Sequence, residues 1–188
     1  MNIGVLGGGS WGTTVAHLLS RRYDVTLWAR NASIVQEINT HHTNQRYLPA
    51  AQLSPKLRAT DNLRAATAGQ SVLVMAIPAQ NFRAVLTDAA NYLEPLTPIV
   101  SLSKGLELAT GARMTEIIQR VCPDQVAAVL TGPNLAQEIM AGFAAASVLA
   151  TPDPTDQSRL QRIFHSSLFR VYTNEDVIGC ELCGVLKN

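Results

Sequence analysis

The sequence predicts a doubly wound α/β fold, in which a mostly parallel sheet carries helices on both faces. Three observations support this prediction. Short apolar runs of strand length alternate with helical patterns along all 188 residues. Hydrophobic residues make up 47% of the chain and charged residues only 15%, which excludes general disorder. Such a low charge also suits a sheet that is covered on both faces.

The first strand and the first helix are joined by a glycine-rich turn. The strand Asn2–Leu6 is followed at once by a segment of the pattern G-x-G-x-x-G. In this pattern Gly7 permits a tight turn, Gly9 lets the backbone approach a diphosphate, and Gly12 lets helix and strand pack closely. Because an apolar helix, Ser10–Ser20, comes next, the turn predicts a Rossmann-type dinucleotide site. A bare structural turn is the alternative.

The second strand, Asp24–Trp28, indicates which dinucleotide binds. NAD sites usually carry an acidic residue at the end of this strand, where it accepts a hydrogen bond from the ribose 2′-hydroxyl. Here the strand is followed by Ala29, Arg30 and Asn31, without an acid. Arg30 is placed to pair with a 2′-phosphate, so NADP, with NADPH as its reduced form, is favoured over NAD. A solvated arginine on a loop is the alternative.

The remaining elements continue this alternation. Further strands are predicted at residues 57–60, 71–77, 99–102, 126–130, 144–149 and 169–172, and further helices at 33–39, 62–67, 81–92, 112–121, 135–141, 156–166 and 175–188. Ser10, Ser33, Asp61 and Asn134 are the predicted N-caps. The long polar stretch 40–56, with two prolines, is predicted to be a surface loop.

Two further segments follow predicted strands and therefore reach the same edge of a parallel sheet. Lys104 follows the fifth strand, and its ammonium could hold a substrate phosphate or polarise a carbonyl. After the sixth strand, Gly132 and the helix start behind Pro133 suit a second anion or a hydroxyl. An exposed surface lysine and a plain helix start are the alternatives.

Together these segments resemble the family of NAD(P)-dependent glycerol-3-phosphate dehydrogenases. Five stretches carry the resemblance in order, namely the glycine turn with Trp11, Trp28-Ala29-Arg30, Ser103-Lys104-Gly105-Leu106-Glu107, residues 131–138 (TGPNLAQE) and residues 181–188 (ELCGVLKN). The resemblance implies reversible hydride transfer between the nicotinamide and dihydroxyacetone phosphate, which gives sn-glycerol 3-phosphate for phospholipid synthesis.

The resemblance also implies which residues form the site. Cofactor contacts fall on Gly7, Gly9, Ser10, Trp11, Gly12, Arg30, Asn31, Tyr47, Lys104 and Ala136. Substrate contacts fall on Lys104, Gly132, Asn134, Lys187 and Asn188. Lys187 matches the catalytic general acid/base, whose ammonium stabilises the developing alkoxide and then supplies its proton. Many relatives have serine or threonine where Asn134 stands, but its amide can still form a hydrogen bond.

The resemblance divides the chain into two parts. Residues 1–174 are expected to form the cofactor-binding domain, and residues 175–188 the start of a truncated helical substrate domain. Relatives continue through that domain, which supplies an aspartate and an arginine-asparagine pair to the substrate. We therefore expect this chain to bind cofactor but to turn over poorly.

Two other functions remain open on the sequence. One is another dehydrogenase of the same broad fold, of the 6-phosphogluconate or hydroxyacyl type. The other is a non-catalytic sensor that binds NAD(P) and reports redox state to a partner. Lysines 104 and 187 favour the enzyme, since a sensor needs neither.

Charge and cysteine usage exclude several other classes. The formal charge is +1, without blocks of like charge, so no nucleic-acid partner is expected. No apolar run is long enough for stable membrane insertion, and a cytoplasmic protein is expected. The chain has 3 cysteines, and Cys180 and Cys183 are read as small buried helix residues. Histidines 41, 42 and 165 are read as loop or surface residues, so no metal site is expected. The sequence leaves a homodimer open.

Overall fold

The computed structural model describes residues 1–186, in which strands and helices alternate from the first element to the last. The strands are β1 Asn2–Leu6, β2 Asp24–Trp28, β3 Arg58–Thr60, β4 Val72–Met75, β5 Ile99–Ser101, β6 Ala127–Thr131, β7 Ala145–Ala150 and β8 Phe169–Asn174. The helices are α1 Ser10–Ser20, α2 Ala32–His41, α3 Leu63–Thr67, α4 Ala79–Ala90, α5 Met114–Val121, α6 Ala136–Met140, α7 Pro154–Phe164 and α8 Val177–Leu186. The predicted alternation is thus confirmed.

The strands form one sheet in the order β3-β2-β1-β4-β5-β6-β7-β8, and all pairs from β3 to β6 are parallel. Two apolar clusters cover its faces. Along β4, Val72 and Val74 belong to one cluster, whereas Leu73 and Met75 belong to the other. Because successive strand residues point to opposite faces, the clusters lie on opposite sides of the sheet. The predicted doubly wound, mostly parallel fold is confirmed.

The direction of the chain reverses after β6. Strand β7 pairs with β6 in antiparallel register, with Thr131 opposite Val148, and β8 then runs parallel to β7. The sheet was predicted to be mostly parallel, and among the strand pairs of residues 1–186 the β6–β7 pair is antiparallel. Helix α6 has only 5 residues and rises by roughly 7.5 Å, whereas a strand of this length spans roughly 17 Å. The helix is too short to return the chain to the start of β6, so the chain turns back.

The stretch predicted as a surface loop, 40–56, is irregular after His41 and most of its residues are exposed, as predicted, but four buried side chains anchor it to the domain. Leu48 and Leu53 belong to the first apolar cluster, and Asn44 and Ser54 are buried polar residues. These four anchors were not predicted, because they are spaced without the period of a helix or a strand, so nothing in the local pattern marks them as inward-facing.

All four predicted N-caps differ from those observed. Asn31, rather than Ser33, is the N-cap of α2, and Asn62, rather than Asp61, is the N-cap of α3. Gly9, rather than Ser10, is the N-cap of α1, and Leu135, rather than Asn134, is that of α6, and neither helix start has a side-chain cap. The open helix start at Gly9 lies in the glycine turn, where a ligand can take the place of a capping side chain.

Candidate cofactor site and active site

The candidate site lies where several strands end at one edge of the sheet. Strands β1, β2, β4, β5 and β6 run in the same direction, so their carboxyl ends share this edge. The chain leaves β1 for β2 on one side and returns as β4 on the other side of β1. Ligands of open α/β sheets bind at such a switch point, beyond the carboxyl ends of the strands. The glycine turn follows β1 directly.

The three motif glycines differ in what surrounds them. Gly7 has a φ of +123°, and a Cβ there would lie 2.3 Å from the carbonyl oxygen of Ala76. A Cβ on Gly12 would lie 2.0 Å from the carbonyl oxygen of Gly7. A Cβ on Gly9 would have nothing within 4 Å. Gly7 and Gly12 are therefore required by internal packing, while Gly9 faces open space, as a backbone that receives a diphosphate must.

Helix α1 presents its amino end to this open space. Its first amides, at Ser10, Trp11 and Gly12, have no acceptor within the helix, and its first turn carries no acidic residue. The positive end of the helix dipole therefore faces any anion bound there. The Trp11 ring is held edge-to-face against Phe169, with 6.1 Å between ring centroids. This contact fixes the indole beside the helix start.

Arg30 and Asn31 follow β2 at the same edge. The amide of Ala29 donates to the carbonyl of Thr60 at 3.0 Å, which fixes the backbone just before Arg30. Arg30 is exposed and is therefore accessible to a phosphate. The Asn31 side-chain oxygen accepts from the amide of Ser33 at 2.9 Å and from its hydroxyl at 2.7 Å. Since this oxygen is engaged as a helix cap, Asn31 can offer a ligand only its Nδ2 donor.

The packed stretch after α2 borders the glycine turn, which the sequence did not reveal. The buried Asn44 Nδ2 donates to the carbonyl of Gly8 at 3.1 Å and to the hydroxyl of Thr13 at 3.0 Å. Tyr47, in the same stretch, is exposed, and the guanidinium of Arg46 stacks over its ring at 5.5 Å. The predicted cofactor contact Tyr47 is thus carried by a segment that is fixed to the turn.

His17 holds the far end of this stretch and was also missed. It is buried on α1, where its Nδ1 accepts from the amide of Ser54 at 2.9 Å, and Arg21 Nη2 lies 3.0 Å from its Nε2. Burial, and then the positive charge of Arg21, lower the pKa of His17 from 6.5 to about 4. The imidazole is therefore neutral near pH 7. A histidine amid the apolar residues of α1 was the available signal.

Lys104 and Gly132 are brought together across the ends of β5 and β6. The Lys104 ammonium donates to the carbonyl of Gly132 at 2.9 Å, so the two predicted substrate residues are in direct contact at this edge of the sheet. The hydroxyl of Ser103 donates to the carbonyl of Ile77, which ties this loop to the end of β4. Lys104 is half-buried and lies at the ligand edge, as the sequence predicted.

Side chains from α4 hold the loop that carries Lys104. Arg83 donates to both carboxylate oxygens of Glu107, at 2.8 and 2.7 Å, and Thr110 also donates to this carboxylate. The hydrogen bonds from Arg83, and then that from Thr110, lower the pKa of Glu107 to about 2. Gln80 adds two further hydrogen bonds, since it donates to the carbonyl of Leu106 and accepts from the amide of Leu108. The loop is therefore fixed on both sides of Glu107.

Asn134 is oriented by a residue of the reversed strand. Its Nδ2 donates to the hydroxyl of Ser147, a buried residue of β7. A Cβ on Gly132 would lie 2.8 Å from the carbonyl of Ala146, so the turn packs directly on β7. With its amide nitrogen engaged, Asn134 has its side-chain oxygen left to accept from a hydroxyl. Ala136, half-buried, begins α6 and packs on the apolar cluster that also contacts Trp11.

Helix α8 is fixed to α5 by a buried carboxylate. Glu181 accepts from the amide of Thr115 at 2.9 Å, from the Thr115 hydroxyl, and from Arg113 Nη1 at 2.7 Å. The predicted residues Lys187 and Asn188 lie outside the described residues. Cys180 is half-buried and Cys183 exposed, so their reading as buried helix residues is wrong for Cys183.

Among residues 1–186, no three histidine, cysteine or acidic side chains are grouped so that they could hold a metal ion. No helix in this part of the chain is long and apolar enough to cross a membrane.

Comparison with known proteins identifies the family. Residues 2–157 match the family model for the NAD-dependent glycerol-3-phosphate dehydrogenase N-terminus. Glycerol-3-phosphate dehydrogenase [NAD(P)+] 2 of Sphingopyxis alaskensis is 56% identical over 188 residues, which are 100% of this chain and 56% of that protein. The corresponding Mycobacterium avium enzyme is 48% identical over 185 residues, 98% of this chain and 54% of that one.

A solved structure agrees with this assignment. The crystal structure of glycerol-3-phosphate dehydrogenase from Coxiella burnetii superposes with a TM-score of 0.91 at 33% identity, covering 97% of this chain and 56% of that chain. This chain thus spans little more than half the length of the curated relatives that it matches. The resemblance predicted from the five sequence stretches is confirmed, and the chain belongs to the family of NAD-dependent glycerol-3-phosphate dehydrogenases, of which it matches the N-terminal part.

Proposed function

We propose that this chain is the cofactor-binding part of an enzyme that interconverts sn-glycerol 3-phosphate and dihydroxyacetone phosphate. The observation that carries the proposal is the meeting of two features at one sheet edge. An open glycine turn suits a diphosphate, and the Lys104 ammonium lies on the carbonyl of Gly132 at the ends of the neighbouring strands. The names of the relatives, which are glycerol-3-phosphate dehydrogenases, support it.

The cofactor proposed for this site is NADP or NAD, and the bound nicotinamide supplies the hydride chemistry. The amides of Gly9, Ser10 and Trp11 would hold the diphosphate, since they line the open start of α1. Arg30 would hold a 2′-phosphate, which favours NADPH. Asn31, Tyr47 and Ala136 complete the proposed contacts, with Gly7 and Gly12 shaping the turn. The cradle fits the group because Gly9 leaves room for it.

The substrate would lie against the loops after β5 and β6. Lys104 would hold its phosphate or its carbonyl oxygen, and the Asn134 side-chain oxygen would accept from a hydroxyl. Lys187 would stabilise the negative charge on the C2 oxygen and then donate a proton to it, with Asn188 beside it as a further polar contact. In the reverse direction the same lysine, if its pKa is lowered, would take that proton back.

The segment 175–188 is proposed to begin the substrate domain, with 1–174 as the cofactor domain. Residues 1–188 alone would then bind cofactor and turn over slowly, since they span little more than half the length of the curated relatives. We place the enzyme in the cytoplasm, where its product would supply phospholipid synthesis. Pairing into a homodimer is compatible with the proposal.

The test is an assay of the full-length protein with dihydroxyacetone phosphate and NADPH. Lys187→Met should lower kcat by about 10²-fold or more, because general acid catalysis contributes at least that much. Lys56→Met is the matched control, since Lys56 is exposed and precedes β3 at the opposite edge of the sheet. Unchanged kcat in Lys187→Met would refute the assigned proton donor. A wild-type enzyme that reduces other substrates but not dihydroxyacetone phosphate would refute the proposed reaction.

A further inference from the structure

One buried polar side chain is bonded to the glycine turn without belonging to the motif. Asn44 is fully buried, and its Nδ2 donates to the carbonyl of Gly8 at 3.1 Å. The same nitrogen donates to the hydroxyl of Thr13, which is also fully buried, at 3.0 Å. Burying an amide is unfavourable unless it forms hydrogen bonds, so the position of Asn44 requires an explanation.

The bond to Gly8 fixes the direction of the neighbouring amide. The carbonyl of Gly8 and the N–H of Gly9 belong to one peptide plane, and in a trans peptide they point in opposite directions. Because Asn44 holds the carbonyl on the inner side, the Gly9 N–H is turned to the outer side. Nothing lies within 4 Å of a Cβ on Gly9, so that glycine borders open space.

We propose that Asn44 is a positioning residue of the cofactor site, which aims the Gly9 amide at the cofactor diphosphate. This inference rests on the proposed function, because it assumes a dinucleotide at the turn. A glycine peptide has little steric preference and could rotate in the free protein. The bond from Asn44 removes that freedom before binding, so less conformational entropy is lost when the diphosphate arrives.

The same residue couples the turn to the segment that carries Tyr47. The amide of Leu48 donates to the carbonyl of Asn44 at 2.8 Å, which closes the turn around Tyr47. At its far end the segment is held by the bond from the Ser54 amide to His17. Asn44 therefore fixes the direction of the Gly9 amide, and it also holds the end of the Tyr47 segment that lies next to the glycine turn.

Two variants separate positioning from general stability. Asn44→Leu keeps the approximate shape and removes the donor, and it also removes a buried Oδ1 that has no partner among the described residues. The leucine also leaves the Gly8 carbonyl and the Thr13 hydroxyl without this donor, so urea unfolding of each variant is measured beside its binding. Thr13→Val is the matched control, because it removes the other acceptor of the same nitrogen and leaves the bond to Gly8. Asn44→Ser, too short to reach Gly8, is a second test that does not depend on leucine fitting the site.

The measurement is calorimetric titration of the 188-residue chain with NADPH and with adenosine 2′-monophosphate, which lacks the diphosphate. We expect the Kd for NADPH to rise about tenfold in Asn44→Leu and Asn44→Ser and by less than about twofold in Thr13→Val. The Kd for adenosine 2′-monophosphate should change by less than about twofold in all three.

Three results would overturn the inference: unchanged NADPH affinity in both Asn44 variants, an equal loss in Thr13→Val, or an equal loss for adenosine 2′-monophosphate, which would indicate general loosening. A wild-type chain that binds no dinucleotide would instead refute the proposed function, and the inference with it.

Discussion

Acid should destabilise this domain through His17, and the size of the effect follows from its surroundings. The pKa of the buried imidazole is lowered from 6.5 to about 4, first by burial and then by the charge of Arg21. Protonation would also remove the acceptor for the Ser54 amide. In the unfolded chain the same histidine takes up a proton near its ordinary pKa of about 6.5.

The sign of this effect is fixed by linkage. Between pH 6.5 and 4 the unfolded chain binds one more proton at His17 than the folded chain, so the free energy of unfolding falls as the pH falls through this window. At about 1.36 kcal/mol for each pKa unit, the full loss is about 3 kcal/mol below pH 4, and about 2 kcal/mol of it is reached at pH 5. Above pH 6.5 His17 has no such effect.

Urea unfolding, followed by tryptophan fluorescence at pH 7.5 and pH 5, measures this loss. His17→Gln cannot titrate, although its side-chain oxygen can still accept from Ser54. The wild type should therefore lose about 2 kcal/mol more than His17→Gln between the two pH values. His165→Gln removes an exposed histidine and should behave as the wild type. An equal loss in the wild type and in His17→Gln would refute the reasoning.

Three further predictions concern the cofactor site and α8. Gly9→Ala should fold normally but bind NADPH at least about tenfold more weakly. Gly12→Ala should lose about 3 kcal/mol or more of unfolding free energy, measured by thermal unfolding, because its Cβ would lie 2.0 Å from a backbone oxygen. Equal stability of the two variants would contradict this prediction. Arg30→Met should raise the Kd for NADPH about tenfold or more and leave that for NADH within about twofold, and parallel changes would remove the 2′-phosphate assignment. Glu181→Gln should cost about 2 kcal/mol of unfolding free energy, because it removes a buried charge from three donors, while Glu175→Gln, at an exposed position, should cost little.

The sequence predicted best where structure is decided locally. Strand β1, helix α1 and strand β2 have the predicted bounds, because an apolar run, a glycine turn and an apolar helix follow one another without interruption. The location of the candidate site could be predicted as well, since any residue just after a parallel strand lies at the ligand edge of the sheet. Lys104 and Gly132 could therefore be placed together before their contact was seen.

Features that depend on distant partners could not be predicted. The reversal of β7 depends on the shortness of α6, whose pattern suggested a longer helix over 135–141. Asn44 lies in a polar stretch, where burial gives no periodic signal, and its bond to Gly8 spans 36 positions. His17 was not singled out from the sequence, and its hydrogen-bond partner, the Ser54 amide, lies 37 positions further along the chain.

Because the chain reverses at β7, the ligand edge of the sheet is formed both by segments that leave strands and by segments that enter them. In a wholly parallel sheet this rim would be built only from segments that leave strands. Here the segments entering β7 and β8 arrive at the same rim, and Ser147, near the start of β7, reaches Asn134 for that reason. Loop changes before β7 would therefore act on the wall beside Asn134, whereas changes before β8 would also act on Phe169, which holds the Trp11 ring beside the start of α1.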